Sequence, residues 1–114
     1  MIIEDYRAGR MRIDGEEYGH DLKIINGRVK RDWWRKQDHR LESGDISDIL
    51  SAGPEILVVG TGYGGNMRVE ESLRSGLEQQ GIRLLALRTA EAVKRFNDMA
   101  SEGKDVAGAF HLTC

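Results

Sequence analysis

Apolar positions are sparse and alternate with charged ones early in the chain, then gather into nearly unbroken runs after residue 55. Met11 and Ile13 alternate with Arg12, and Asp14-Gly15 supplies a turn. Leu22 to Ile25 and Arg28 to Trp33 flank Asn26-Gly27, a pair that readily takes the two positive-φ positions of a type I′ turn, so the segment predicts a β-hairpin. From Asp45 onward, Ile46, Ile49 and Leu50 recur at helical spacing; Gly53 offers a left-handed cap and Pro54 forbids continuation, which predicts a short helix. Ile56-Leu57-Val58-Val59 has the pattern of a strand covered on both faces. Val69, Leu73 and Leu77 mark the inner face of a second helix closed by Gly81, and Ile82 to Leu87 makes another apolar strand. Thr89 is placed to cap a third helix with Val93, Phe96 and Ala100 inside and Gly103 at its end, before a last strand over Val106 to Leu112. The order after Pro54 is β-α-β-α-β. Right-handed crossovers make its core sheet parallel, to which the amino-terminal hairpin adds antiparallel strands or a second layer.

Composition narrows the class. A chain of 114 residues with 39% hydrophobic and 32% charged residues has enough apolar surface for one folded domain, taken as residues 1–114. Its net charge of -2 provides no global field toward nucleic acid or an anionic membrane, and no apolar stretch approaches the ~20 residues of a membrane-spanning helix. Glu4 and Asp5, directly after a very short apolar start, do not fit a secretory or mitochondrial leader. The single cysteine, Cys114, has no internal partner, which points to a reducing compartment and a cytoplasmic location.

Three segments carry candidate chemistry. Gly60-Thr61-Gly62-Tyr63-Gly64-Gly65 follows a buried strand and precedes a helix expected to hold Asn66 and Arg68 in its first turn. In letters this is G-x-G-x-x-G, whose glycines let backbone amides approach an anion at a helix amino terminus. However, no acid ends the next strand to bind a ribose, only three β units follow Pro54, and no Lys-Ser or Lys-Thr completes a phosphate loop. No cofactor is therefore expected, and a tight turn without a ligand is the favoured account of the glycines over a dinucleotide site. Arg28 to Arg40 interleaves basic residues with Trp33 and Trp34, but Asp32 and Asp38 dilute the charge, so a strand edge or partner interface is favoured over nucleic acid. An extended backbone sends the two tryptophans to opposite faces, one into the core. His111-Leu112-Thr113-Cys114 has the residue types of a Cys-His pair, yet strict alternation separates His111 from Cys114. His20, His39 and His111 lack the spacing of metal ligands, and no metal site is expected from them.

Taken together, Trp33-Trp34-Arg35, His39, Leu57-Val58-Val59-Gly60-Thr61-Gly62-Tyr63-Gly64, Thr89, Ala92, Phe96-Asn97, Ala109 and His111-Leu112-Thr113-Cys114 resemble the Mth-domain family of uncharacterised proteins over nearly the whole chain. The resemblance implies a three-layer α/β fold with a mixed central sheet. It also implies a family without established catalytic activity, whose known roles are of the assembly or accessory kind. The expectation is a cytoplasmic, non-enzymatic interaction protein with a protein partner. Its expected binding surface is formed by Gly60, Thr61, Gly62, Tyr63, Gly64, Gly65, Asn66 and Arg68 with Trp34, Arg35, His39 and His111. The alternative is a small anionic ligand, a phosphate or nucleotide, held by the amides of Thr61 to Gly65 and by Arg68 at a helix amino terminus, with Tyr63, His111 and Cys114 available for chemistry.

Overall fold

A computed structural model describes residues 1–114. The alternating amino-terminal residues form β1 (Ile3–Arg7), β2 (Arg10–Ile13) and β3 (Glu16–Tyr18), an antiparallel meander whose second turn places Asp14 and Gly15 at φ 48° and 85°. The Asn-Gly hairpin follows as β4 (Leu22–Ile25) and β5 (Arg28–Lys30), with Asn26 and Gly27 at φ 52° and 72°. It is shorter than the sequence suggests. Asp32 adopts φ 56°, which breaks the extended backbone before Trp33.

The chain continues through β6 (Arg40–Leu41), a 3-10 turn at Ser43–Ile46 and α1 (Ser47–Ala52), which stops at Gly53 in the left-handed region as expected. Next come β7 (Ile56–Thr61), β8 (Arg68–Val69), α2 (Glu71–Gln79), β9 (Arg83–Leu87), α3 (Thr89–Ser101) and β10 (Val106–His111). The central sheet has the order β5-β4-β10-β7-β9, parallel among β10, β7 and β9 and antiparallel at β4 and β5.

Alternation along these strands sorts the core into two layers. Leu22, Ile24, Ile56, Val58, Val106 and Phe110 face α3 and the three-stranded sheet, where Ala92, Val93, Phe96, Met99, Met11 and Ile13 meet them. Leu57, Val59, Ala107 and Ala109 face the other way, onto Ile49 of α1, Leu73 and Leu77 of α2, and Trp33. The result is the expected three-layer α/β arrangement. Ala100 is only partly buried, and Met99 takes the deeper position on α3.

Two expectations near the glycine segment fail. Gly60 and Thr61 still belong to β7, and α2 begins at Glu71, so Asn66 lies in a loop and Arg68 in a strand rather than in a first helical turn. Pairing explains this: the Arg68 N–H bonds to the His39 carbonyl and the Glu70 N–H to the Leu41 carbonyl, which holds the segment as β8 alongside β6 before a helix can start. Thr89 lies inside α3, whose N-cap is Arg88, and its hydroxyl is used elsewhere.

Candidate functional site

β7 lies between β9 and β10, so the chain leaves it toward one side and returns on the other. In open α/β sheets the crevice beyond the carboxyl ends of the strands at such a reversal is the usual place for a ligand. Here Thr61 ends β7 and His111 ends β10, paired in register. On the far side of β10 the antiparallel partner pairs Leu22 with Phe110 and thereby sets Asp21 beside His111. Both side chains project to the face that carries Trp33.

Asp21 organises this edge. Its Oδ1 accepts the Leu112 N–H at 2.7 Å, and its Oδ2 lies 2.7 Å from His111 Nδ1 and 2.9 Å from Arg35 Nη1. The three side chains are nearly sealed from solvent, with exposures of 9% for Asp21, 6% for His111 and 3% for Arg35. Arg35 stacks on the Trp33 ring at 4.7 Å and donates from Nε and Nη2 to the Asp38 carbonyl at 3.0 and 2.7 Å. Trp33 is itself fixed, its backbone N–H on the Asp21 carbonyl and its indole N–H on the Asp45 carbonyl.

A carboxylate can only accept, so His111 Nδ1 is the donor in its contact with Asp21. Arg35 Nη2, 3.1 Å from the same nitrogen, is also a donor and makes no bond there. In the neutral ring Nε2 is thus the free lone pair, and it is buried without a partner. His111 forms part of a cleft of about 310 Å³ lined also by His20, Trp34, His39 and Cys114. The His39 ring meets the His111 ring edge-on at 5.6 Å.

Burial alone pushes the Asp21 carboxyl up. The hydrogen bonds from His111 and the Leu112 N–H, the His111 charge and the Arg35 hydrogen bond outweigh burial and hold it below the usual carboxylate range. A carboxyl depressed in the folded state contributes stability that is fully present above its unfolded value, ~3.9, and is lost as pH falls through the folded value. Urea titrations between pH 6 and pH 2 are expected to show stability falling below ~4, with a shallower fall in Asp21→Asn.

Most amides of the glycine segment are bonded within the protein. The Gly62 N–H bonds to Thr89 Oγ1, the Tyr63 N–H to the Thr113 carbonyl, the Gly65 N–H to the Gly62 carbonyl and the Asn66 N–H to the Cys114 carbonyl. Thr89 in turn donates to the His111 carbonyl at 2.6 Å. No helix starts before Glu71 and the amides of Gly62, Tyr63 and Gly65 are engaged, so the segment does not present the helix amino terminus expected to hold a phosphate or nucleotide. The segment clasps residues 111–114 instead.

The remaining expected site residues divide. Trp34 and Tyr63 are 71% and 62% exposed, and His39, Gly64, Asn66 and Arg68 are exposed too, whereas Gly60 and Gly62 are buried and Thr61 and Gly65 half-buried. Arg35 and His111, expected on the surface, lie beneath it because each faces the Asp21 carboxylate. β10 ends at His111 and Cys114 turns at φ 41°, so alternation no longer separates the two. Asp21 itself was missing from the expected set. Its one sequence signal is an acid placed immediately before an apolar strand, which means nothing until that strand pairs with β10.

A complex I assembly factor (NADH dehydrogenase [ubiquinone] 1 alpha subcomplex assembly factor 3) from Xenopus tropicalis is 30% identical over 112 residues, a match covering 96% of this chain and 60% of that protein. The chain thus spans about 60% of the length of this relative. A conserved hypothetical protein from Pyrococcus horikoshii superposes over 100% of both chains with a TM-score of 0.86 at 26% identity. An Mth938-like domain protein from Bordetella pertussis superposes over 97% of this chain and 85% of its own with a TM-score of 0.64 at 20% identity, a likeness of fold. No helix in the structure is long and apolar enough to cross a membrane. Residues 3–111 match the family model described as protein of unknown function (DUF498/DUF598), and the chain belongs to that family.

Proposed function

We propose that the chain is a non-enzymatic accessory protein of the assembly type, working in a reducing compartment such as the cytoplasm and recognising a protein partner with the rim of the carboxyl-edge cleft. One observation carries this reading: two large aromatic side chains stand exposed, Trp34 lining the cleft and Tyr63 on a segment whose backbone is bonded to Thr113 of the cleft wall. Aromatic residues of this kind are enriched among the few that dominate binding energy at protein interfaces. Trp34 rests against the His20 ring at 4.0 Å, and the Tyr63 backbone is tied to Thr113, so both are presented on fixed supports. The assembly-factor relative supports the same class of role. His39 lines the same cleft, Asn66 and Arg68 are bonded through their backbone amides to Cys114 and His39 and extend the proposed surface with Gly64, and Arg35 and His111 support it from below.

Cross-linking followed by affinity capture from cells, with the wild type, Trp34→Ala/Tyr63→Ala and a distant Arg74→Ala control on α2, tests the proposal. The double variant is expected to lose the partners that the control retains. Retention of all partners by a folded double variant would overturn this surface.

A further inference from the structure

We propose that His39, His111 and Cys114 form a binding site for a divalent cation of the zinc class. The three residues are far apart or wrongly spaced in sequence, yet the fold brings one ligand atom from each within 4.8 Å of the others. Zinc distances of ~2.0–2.3 Å to nitrogen and sulfur put tetrahedral ligand atoms roughly 3.5 Å apart, so closure takes a shift on the order of an ångström. His39 and Cys114 are both exposed and have the freedom to make it.

A second observation is independent of that proximity. His111 is nearly fully buried, its Nδ1 is committed to the Asp21 carboxylate, and its Nε2 is sealed from water with no partner. Leaving a buried polar atom unpaired costs free energy, and such an atom in a native fold calls for an occupant. A histidine that donates one ring nitrogen to a carboxylate and offers the other is also the usual state of a metal-bound imidazole, whose orientation and basicity the carboxylate sets.

The donor set fits the chemistry. Two imidazoles and one thiol suit a borderline cation better than calcium or magnesium, which take oxygen ligands. Arg35 does not oppose a cation here, because its charge is balanced by Asp21 and its Nε and Nη2 donate to the Asp38 carbonyl. On binding, the Cys114 thiol loses its proton to solvent and the thiolate joins the metal. Three protein ligands leave a fourth position for water or for a donor atom from a partner. Asp21 is a positioning residue in this scheme, acting through His111.

Cobalt(II) titration of chelator-treated protein provides the test, since a thiolate ligand adds a charge-transfer band to the absorption of tetrahedral cobalt. The wild type is expected to bind one equivalent with that band and to release cobalt to added zinc. Cys114→Ser should lose the band, His39→Ala should bind at least ~10-fold more weakly, and Asp21→Asn should weaken binding by about 10- to 100-fold. His39 and Cys114 are exposed, so thermal melts of their variants without metal should match the wild type, separating lost ligands from lost folding. Zinc should raise the melting temperature of the wild type and leave that of His39→Ala/Cys114→Ser unmoved. A wild type without the thiolate band at saturating cobalt, or folded single variants that bind as tightly as the wild type, would overturn the site.

Discussion

Asp21→Ala is expected to destabilise the fold by about 3–5 kcal/mol, the cost of leaving a buried charge without its counter-charge. The substitution removes the only acceptor shared by His111, Arg35 and the Leu112 N–H, and it strands a guanidinium that is 3% exposed. The Asp38 carbonyl still accepts from Arg35 but carries no charge to balance it. For a domain of this length the melting temperature should fall by roughly 15 °C or more. Arg10→Ala is the fitting control: it breaks an ion pair to Glu17 in which both side chains are well exposed, and pairs of that kind contribute about 0–1 kcal/mol. Matched urea denaturations of the two variants decide the point. An Asp21→Ala loss no larger than that of Arg10→Ala would mean that the carboxylate does not hold the edge together.

Buried ion pairs are weak devices for stability as such, because well-packed apolar side chains of similar volume often do as well. A cluster of Asp21, Arg35 and His111 therefore has a better rationale as a means of fixing one ring in one orientation beside a cleft.

Gly62→Ala is the second large effect, expected at about 3 kcal/mol, and it comes from two sources of similar size. Gly62 has φ 111°, a conformation that a residue with a Cβ occupies only under strain. An added Cβ would also sit 2.5 Å from the Thr113 carbonyl oxygen, 2.7 Å from the Cys114 carbonyl carbon and 2.9 Å from His111 Cδ2. Two of these are backbone atoms and cannot step aside as a flexible side chain would. Relief requires residues 113–114 to move off the loop, breaking the bonds from the Tyr63 and Asn66 amides. Hydrogen exchange at those two amides should accelerate together with the fall in stability. Gly81→Ala, where an added Cβ meets nothing within 4 Å, separates backbone strain from collision. A Gly62→Ala protein with slow exchange at Tyr63 and Asn66 would show that the loop does not clasp the tail.

These residues mark where the sequence was legible and where it was not. Local chemistry carried most of the fold: Asn26-Gly27 turned the hairpin, Gly53-Pro54 stopped α1, and the continuous apolar runs became the strands buried on both faces. Such features act within a few residues and leave their mark in a short window. The glycine motif is ambiguous because its spacing is shared by two solutions. An amide cradle under an anion and a clasp over a returning tail both demand backbone without side chains, and only the pairing of β6 with β8, across 28 residues, decides between them.

The site was less legible for the same reason. That one of Trp33 and Trp34 lies inside and the other outside follows from neighbouring positions, whereas which one does is decided by the fold. Asp21 and His111 are 90 residues apart and meet through the β4 and β10 register, while His39 is held in place by the amide of Arg68. Neither contact leaves a local signature.

Nitrogen-15 chemical shifts of the His111 ring in chelator-treated protein test most directly whether Asp21 orients that ring toward the cleft. The expected spectrum shows, for the neutral ring, a proton on Nδ1 and a bare Nε2, with that preference abolished in Asp21→Asn. A proton on Nε2 and a bare Nδ1 in the wild type would contradict it, because the carboxylate would then have no donor to hold and the cleft no lone pair to offer.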